Sequence, residues 1–213
     1  ALLLTLPTLA VAVDLEGFYI TPKGGISKSM DTGVTNYAEL GTTSYFNDKD
    51  LGTGYAFGLS AGKYITNNFR IELEAIKRGS YEYDSLIIDS TTGFRGDITS
   101  KSLFINSLYD FNGFSLGNRS ISPYIGGGIG ISRNEMGATA AMIGGVPNGN
   151  VLNSNSINQF AYKLSAGTLV GMTESISIDI NYQYVNLGSF KSGTVYQTGA
   201  LETPINGGEI KSQ

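Results

Sequence analysis

One stretch of the chain, residues 175–188, constrains the fold more than any other, because its side chains alternate in polarity. One set of alternate positions is apolar or aromatic: Ile176, Ile178, Ile180, Tyr182 and Tyr184. The other set is polar or charged: Ser177, Asp179, Asn181 and Gln183. Successive side chains of a β-strand point to opposite faces of the sheet, so this stretch predicts a strand with one apolar and one polar face. A soluble sandwich would bury the apolar face, whereas a membrane barrel would turn it towards lipid.

The same alternation recurs along the chain and predicts six further strands. They cover residues 17–27, 54–65, 69–78, 98–111, 122–133 and 158–171. The pattern is clearest in residues 69–78, where Phe69, Ile71 and Leu73 occupy one set of positions and charged residues the other. Residues 122–133 are so rich in glycine that the pattern does not assign their two faces.

The connections between the predicted strands fall into two classes. Short turns join the second strand to the third, the fourth to the fifth and the sixth to the seventh. Long polar loops cover residues 28–53, 80–97, 134–157 and 189–206. Short turns at one end and long loops at the other are typical of outer-membrane barrels, and a soluble sandwich has no reason to separate them in this way.

The predicted fold is therefore all-β: a single antiparallel up-and-down transmembrane β-barrel over residues 13–213. Bacterial single-chain barrels have an even number of strands, so eight are expected although seven are visible. Residues 207–213 predict the beginning of the eighth strand, which we expect to be truncated at the end of the sequence. An open strand edge would not be tolerated in lipid.

The first residues of the chain form an apolar run that ends in Ala10-Val11-Ala12. This ending resembles a signal-peptidase cleavage site, so we interpret residues 1–12 as the remainder of an export signal. The run is too short to cross a membrane as a helix. The alternative is a buried first strand or helix.

The composition excludes several classes of function. The 213 residues include no cysteine and no histidine, which removes thiolate nucleophiles, histidine-dependent triads and most zinc sites. A net charge of −4 argues against a nucleic-acid partner. The glycines at 126–130 lack the spacing of a phosphate-binding loop, and the loop aspartates lack that of a calcium site. We therefore expect no enzyme, cofactor or metal.

Five segments resemble, in sequence and in order, the eight-stranded OmpA-like and opacity-protein surface antigens of Gram-negative bacteria. They are Gly17-Phe18-Tyr19-Ile20, residues 106–111, residues 123–130, residues 160–167 and Tyr182-Gln183-Tyr184-Val185-Asn186-Leu187-Gly188. The resemblance covers nearly every predicted strand and none of the loops. It implies a protein held in outer-membrane lipid, often an adhesin or antigen. That family normally ends in an aromatic residue, which Gln213 is not, and this agrees with a truncated eighth strand.

The polar faces of the predicted strands would point into the barrel. The inward-facing candidates are Lys23, Arg70, Glu72, Glu74, Arg78, Asn106, Asp110, Lys163, Asp179 and Gln183. Side chains fill the interior of an eight-stranded barrel, and buried charges must pair. We therefore predict a plug in which Arg70 and Lys163 pair with the carboxylates of Glu72, Glu74 and Asp179. A narrow path for ions or small solutes is the alternative.

Aromatic residues on the opposite faces are candidates for the girdles that mark the two lipid interfaces. They are Phe18, Tyr55, Phe69, Tyr109, Phe111, Tyr162, Tyr182 and Tyr184. The alternative is the core of a sandwich, in which each tyrosine hydroxyl would need a buried partner.

Function is predicted to lie in the long loops, because loops on a rigid scaffold commonly carry binding residues. The apolar residues predicted to be exposed there are Leu86, Ile87, Ile88, Met142, Ile143 and Val146. The alternative to protein binding is that these side chains pack on one another. The favoured hypothesis is a surface adhesin or antigen that contacts host-cell surface or matrix proteins. A small porin-like channel is the alternative. A soluble lipocalin-type carrier would not explain why short turns and long loops are separated.

Overall fold

The computed structural model describes residues 2–15, 17–29, 33–35, 51–86, 92–204 and 209–211. These residues form β-strands joined by turns and irregular connections. Within this part of the chain, no helix has the length and apolarity needed to cross a membrane.

The strands are numbered in chain order. They are β1 (Leu2–Leu15), β2 (Phe18–Ser29), β3 (Gly33–Thr35), β4 (Thr53–Thr66), β5 (Phe69–Leu86), β6 (Thr92–Asp110), β7 (Phe114–Leu116), β8 (Arg119–Met136), β9 (Thr139–Ile143), β10 (Val146–Leu152), β11 (Asn155–Gly171), β12 (Ile176–Asn186), β13 (Phe190–Lys191), β14 (Val195–Thr198), β15 (Leu201–Pro204) and β16 (Glu209–Lys211). All seven strands predicted from sequence are present, as β2, β4, β5, β6, β8, β11 and β12.

The long strands pair antiparallel with their neighbours. β1 pairs with β2, β2 with β4, β4 with β5, and β5 with β6. β6 pairs along its other edge with β8, β8 with β11, β11 with β12, and β12 with β1. Following these pairings from β1 therefore leads back to β1. Each of these strands has its backbone groups paired on both sides, which is the condition for a sheet to cross a bilayer.

The two faces of the strands are reversed relative to those of a soluble protein. In β12, the side chain of Asp179 is 3% exposed and that of its neighbour Ile180 is 41% exposed. β2 and β11 show the same alternation, with buried polar residues between exposed apolar ones, and β4 buries the small residues Gly54, Ala56, Ser60 and Gly62 on its inner face. The polar faces therefore point inward and the apolar faces outward.

Large apolar side chains are exposed on the outer faces of the long strands. The set includes Phe18, Ile20, Ile26, Phe57, Leu59, Ile71, Leu73, Leu103, Ile105, Ile125, Ile129, Ile131, Phe160, Leu164 and Ile180. Soluble monomers rarely expose a continuous apolar surface of this extent. An outward-facing apolar band is what a barrel presents to lipid.

The glycine-rich strand β8 is explained by how closely its inner face approaches β6. Gly126, Gly128 and Gly130 alternate with outward-facing isoleucines, so the glycines face the interior. A Cβ atom at Gly128 would overlap the Asn106 side chain, and one at Gly130 would overlap the backbone of β6. The sequence did not assign these faces, because glycine has no side chain to reveal the alternation.

The bounds predicted for three of the four long loops are wrong, whereas β2 ends at Ser29 and β4 begins at Thr53, close to the predicted bounds 28–53. β5 continues to Leu86 and β6 begins at Thr92, so most of residues 80–97 is strand. Residues 134–157 contain β9 and β10, and residues 189–206 contain β13, β14 and β15. Of residues 30–50, only β3 is described. Strand segments beyond the lipid need no apolar face, so their alternation is too weak to detect by hydrophobicity.

These additional strands continue the sheet beyond the barrel wall. Residues 92–95 of β6 pair with residues 140–143 of β9. β9 then pairs with β10, β10 with β14, and β14 with β15. The loop end of the molecule is therefore a β-sheet built onto the edge of β6.

Buried apolar side chains form a hydrophobic core at this loop end. Its buried members include Leu51, Tyr81, Phe94, Ile98, Met136, Leu152, Leu187 and Phe190. Asn134, which is buried on the inner face of β8, donates to the backbone oxygens of Leu187 (2.7 Å) and Ser189 (2.8 Å). The segment before β13 is thereby held against the inside of the wall, so it covers the loop end of the interior.

The two ends of the chain differ from the sequence-based expectation. Leu2–Leu15, largely assigned to an export signal, forms β1 between β2 and β12. Cleavage after Ala12 stays a prediction, since the described chain carries this segment. Within residues 207–213, expected to begin an eighth barrel strand, Glu209–Lys211 pairs with β3 and β13 instead. β1 pairs with the backbone groups of β2 and β12 along edges that would otherwise be open.

Because β8 and β6 approach closely, we predict that a larger side chain on the inner face of β8 destabilises the protein. We expect Gly128→Val to lower the free energy of unfolding by about 1–3 kcal/mol, the usual cost of overpacking a tight interior. Gly24→Val on β2 is the control, because no atom of the described residues lies within 4 Å of a Cβ at that position. Urea unfolding in lipid vesicles, followed by circular dichroism, measures both. Equal stability of the two variants would contradict the packing described here.

Candidate functional site

The interior of the barrel contains ion pairs that join three separate parts of the wall. Lys23 Nζ on β2 lies 2.6 Å from Glu72 Oε1 and 2.6 Å from Glu74 Oε2, both on β5. Lys163 Nζ on β11 lies 2.6 Å from the other oxygen of Glu74. β2, β5 and β11 are not direct neighbours in the sheet, so these contacts cross the interior. All four side chains are buried.

Neutral hydrogen-bond donors complete the surroundings of Glu72. Asn106 Nδ2 on β6 donates to Glu72 Oε1 at 3.1 Å, and the Tyr19 hydroxyl donates to Glu72 Oε2 at 3.3 Å. The charged group therefore has partners on β2 and β6 as well as the ion pair. Such coverage is what makes a buried charge tolerable, because ions removed from water need both a counter-charge and hydrogen bonds.

A second polar layer lies nearer the short turns. Arg70 Nε is 3.0 Å from Asp110 Oδ2, and Arg70 Nη1 donates to the Tyr19 hydroxyl at 3.2 Å. The Arg70 guanidinium also lies 4.6 Å from the centre of the Tyr124 ring, a cation–π contact. The Tyr124 hydroxyl donates to Asp179 Oδ1 at 2.7 Å. This layer connects β2, β5, β6, β8 and β12.

The residues predicted from sequence to form the interior network are all buried in the structure. They are Arg70, Glu72, Glu74, Asn106, Asp110, Lys163, Asp179 and Gln183. The pairing differs in detail: Arg70 pairs with Asp110 rather than with Glu72 or Glu74, and Asp179 is bound by Tyr124. The predicted network omitted Tyr19, Tyr124 and Asn134. Tyr19 shares the parity of Lys23, but the unassigned faces of the glycine-rich strand concealed Tyr124 and Asn134.

Arg78 differs from the other interior cations. It is fully buried on β5, between the Glu74 ion pairs and the loop-end core. None of its three guanidinium nitrogens has a hydrogen-bond partner among the described residues. The hydroxyl of Ser100, directly opposite on β6, is likewise unpartnered there. The network of ion pairs therefore ends at Glu74.

The predicted interface aromatics point outward and lie towards the two ends of the strands. Phe18, Phe69, Tyr109 and Phe111 are beside the short turns. Tyr55, Tyr162, Tyr182 and Tyr184 lie in the halves of their strands further from those turns. Tyr109 and Phe111 meet edge to face at 5.4 Å. Whether these two groups mark the lipid interfaces stays a prediction.

The apolar residues predicted to bind from the loops differ in how exposed they are. Met142 was predicted to be exposed, which is wrong: it is 3% exposed, because its strand β9 turns this side chain inward. Ile143 and Val146 flank the Gly144-Gly145 turn of the β9–β10 hairpin and are 52% and 64% exposed. Ile87, Ile88 and the side chain of Leu86 lie outside the described residues.

One exposed apolar residue at the loop end was not among the predicted binding candidates. Leu201 begins β15 and is 72% exposed, next to the turn that joins β14 to β15. The two hairpins lie in one sheet, because β10 pairs with β14. A sequence signal existed, since Thr198-Gly199-Ala200-Leu201 has the glycine of a hairpin turn.

The interior ion pairs generate a prediction about stability. Glu74→Gln leaves Lys23 and Lys163 buried with one fewer counter-charge, so we expect the free energy of unfolding to fall by about 3–5 kcal/mol. Glu82→Gln is the matched control, because its partner Arg95 lies 3.7 Å away and both side chains are largely exposed. We expect that change to cost about 1 kcal/mol or less. Urea unfolding in vesicles separates the two, and an equal effect would contradict a buried, paired Glu74.

Known proteins with similar sequences agree with this architecture. The outer membrane protein beta-barrel domain family matches residues 1–204. The outer membrane protein PagN of Salmonella typhimurium is 26% identical over 91% of this chain and 84% of its own length. The adhesin candidate RP828 of Rickettsia prowazekii is 24% identical over 76% of this chain and 76% of its own length. No solved structure matches the chain significantly.

The family match extends over nearly all of the chain, and the reversed faces of the strands supply its structural basis. Polar residues inside and apolar residues outside are the arrangement that a lipid bilayer selects. This chain is a protein of the bacterial outer membrane and belongs to the outer membrane protein β-barrel domain family.

Proposed function

We propose that this protein is a non-enzymatic barrel of eight membrane-spanning strands that attaches the bacterium to host-cell surface or matrix proteins. The spanning strands are β1, β2, β4, β5, β6, β8, β11 and β12, which pair in sequence around the ring. This count requires that β1 is retained, which corresponds to the alternative interpretation of residues 1–12 as a first strand. The relative described as an adhesin candidate supports the attachment role. The interior serves to hold the barrel rigid.

The observation that carries the proposal is the continuous sheet at the loop end. β9, β10, β14 and β15 are joined by backbone pairing to β6, which is itself part of the barrel wall. The hairpins are therefore fixed relative to the membrane. Their exposed apolar residues Ile143, Val146 and Leu201 are presented at hairpin turns. A rigid surface with exposed apolar residues suits protein binding, since little conformational entropy is lost on contact.

The interior contacts argue against a catalytic role. The carboxylates of Glu72 and Glu74 accept hydrogen bonds from lysines, and Asp110 is paired with Arg70. Such carboxylates are not free to move protons or attack a substrate. In the described residues, there is also no group of acidic side chains arranged to hold a metal ion.

The same contacts argue against the porin-like alternative. Ion pairs from β2 and β11 meet on Glu74 in the middle of the interior. Further along, the loop-end core covers the opening, and Asn134 fixes the segment before β13 beneath it. A solute would have to displace both layers to pass.

Attachment can be tested with a matched pair of variants. We expect Ile143→Ser/Val146→Ser/Leu201→Ser to reduce adherence to cultured host cells about ten-fold, when the protein is expressed in a non-adherent bacterial strain. The control is Ile65→Ser/Phe114→Ser/Leu116→Ser, which removes three equally exposed apolar residues at the turn end. We expect that variant to adhere like the parent.

The amount of folded protein at the cell surface must be equal in all three strains, as shown by surface antibody labelling and by gel mobility before and after heating. Unchanged adherence of the hairpin variant at equal surface amount would refute the proposed binding surface. Loss of adherence in both variants would show that the binding surface is not confined to the hairpins at the loop end.

A further inference from the structure

Three basic side chains form a row on the outer face of the barrel. Lys77 on β5 lies directly opposite Lys101 on β6, and Lys101 lies directly opposite Arg133 on β8. All three alternate with buried neighbours, so they point away from the interior. We call Lys77, Lys101 and Arg133 the basic row.

The basic row is electrostatically unfavourable by itself. Like charges directly opposite each other on neighbouring strands destabilise a sheet. Among the described residues, no carboxylate forms a salt bridge with any of the three. Lys77 lies 5.9 Å from the centre of the Phe57 ring, and Arg133 Nη2 donates to Ser156 Oγ at 3.1 Å. Neither contact neutralises the charge, so the arrangement suits an anionic ligand.

An apolar groove of about 720 Å³ lies beside the basic row. All three basic residues line it, together with Phe57, Leu59, Ala75, Leu103 and Ile131. The apolar residues Leu59, Ala75, Leu103 and Ile131 lie nearer to the short turns. Each is two residues along its strand from Phe57 or from the member of the basic row on that strand. Charge therefore borders the groove on the loop side, and apolar side chains line it on the turn side.

The position of the groove on the barrel defines its surroundings. It opens on the outward face, where the exposed apolar band meets lipid, and the basic row lies towards the loop end. In the outer membrane, the long loops face outward and the short turns face the periplasm. The basic row is thus at the level of outer-leaflet headgroups, and the groove at the level of their acyl chains.

We propose that the basic row and its groove bind a phosphorylated glycolipid of the outer leaflet, with phosphate on the basic row and an acyl chain in the groove. Clusters of lysine and arginine at a membrane interface recognise phosphorylated headgroups, and arginine does so through charge-assisted hydrogen bonds. A soluble acidic polysaccharide could use the basic row but would leave the groove unfilled. The proposal rests on the outer-membrane location and is independent of host attachment.

The test is native mass spectrometry of the purified protein in detergent micelles, with bisphosphorylated lipid A as the probe. We expect Lys77→Gln/Lys101→Gln/Arg133→Gln to weaken lipid A binding at least ten-fold. The matched control, Lys63→Gln/Arg119→Gln/Lys191→Gln, removes three exposed positive charges elsewhere and should bind like the parent. Folding of each variant is checked by circular dichroism and by gel mobility before and after heating.

Two further probes determine what the site recognises. Dephosphorylated lipid A should bind at least ten-fold more weakly than the bisphosphorylated form, and so should phosphatidylglycerol. Equal binding of lipid A by the parent and by Lys77→Gln/Lys101→Gln/Arg133→Gln would show that the basic row does not bind lipid A. Equal binding of phosphatidylglycerol, or of the dephosphorylated form, would overturn recognition of a phosphorylated glycolipid.

Discussion

The need to pair every backbone hydrogen-bonding group within a bilayer explains how these strands are arranged. A peptide group left unpaired in hydrocarbon costs several kcal/mol, so a spanning sheet has to leave no edge. β6 is the strand at which this is most visible. It pairs with β5 along one edge and with β8 along the other, while its first residues pair with β9. One strand thereby belongs both to the membrane wall and to the surface sheet above it.

A closed wall also determines what the side chains do. Apolar residues face lipid, so polar residues are left inside, where each charge needs a partner. Lys23 and Lys163 meet this requirement by converging on Glu74 from two other strands, and the glycines of β8 leave room for the Asn106 side chain. The resulting cross-links hold the wall in one shape. A rigid wall fixes the hairpins that extend from it, which connects the buried ion pairs to the surface proposed for attachment.

Sequence patterns predicted the wall far better than the surface. Lipid demands apolar residues at alternate positions, so the seven predicted strands and inward-facing residues such as Glu72 were recognisable. Beyond the lipid that demand disappears, and the strands of residues 80–97 and 134–157 were read as loops. Met142 was misplaced for the same reason. The pairing of Arg70 with Asp110 depends on the register between β5 and β6, and alternation along one strand carries no information about register.

The apolar faces of these strands point outward to lipid, and the polar faces line the interior. Spin labels placed one at a time along residues 160–165 of β11 test this orientation, and the absence of cysteine from the sequence simplifies the labelling. In vesicles, labels at Phe160, Tyr162 and Leu164 should be accessible to oxygen dissolved in the bilayer, and labels at Ala161, Lys163 and Ser165 should be protected. The opposite pattern of oxygen accessibility would show that these faces are reversed. Accessibility of the apolar positions to a water-soluble relaxation agent would show that they do not contact lipid.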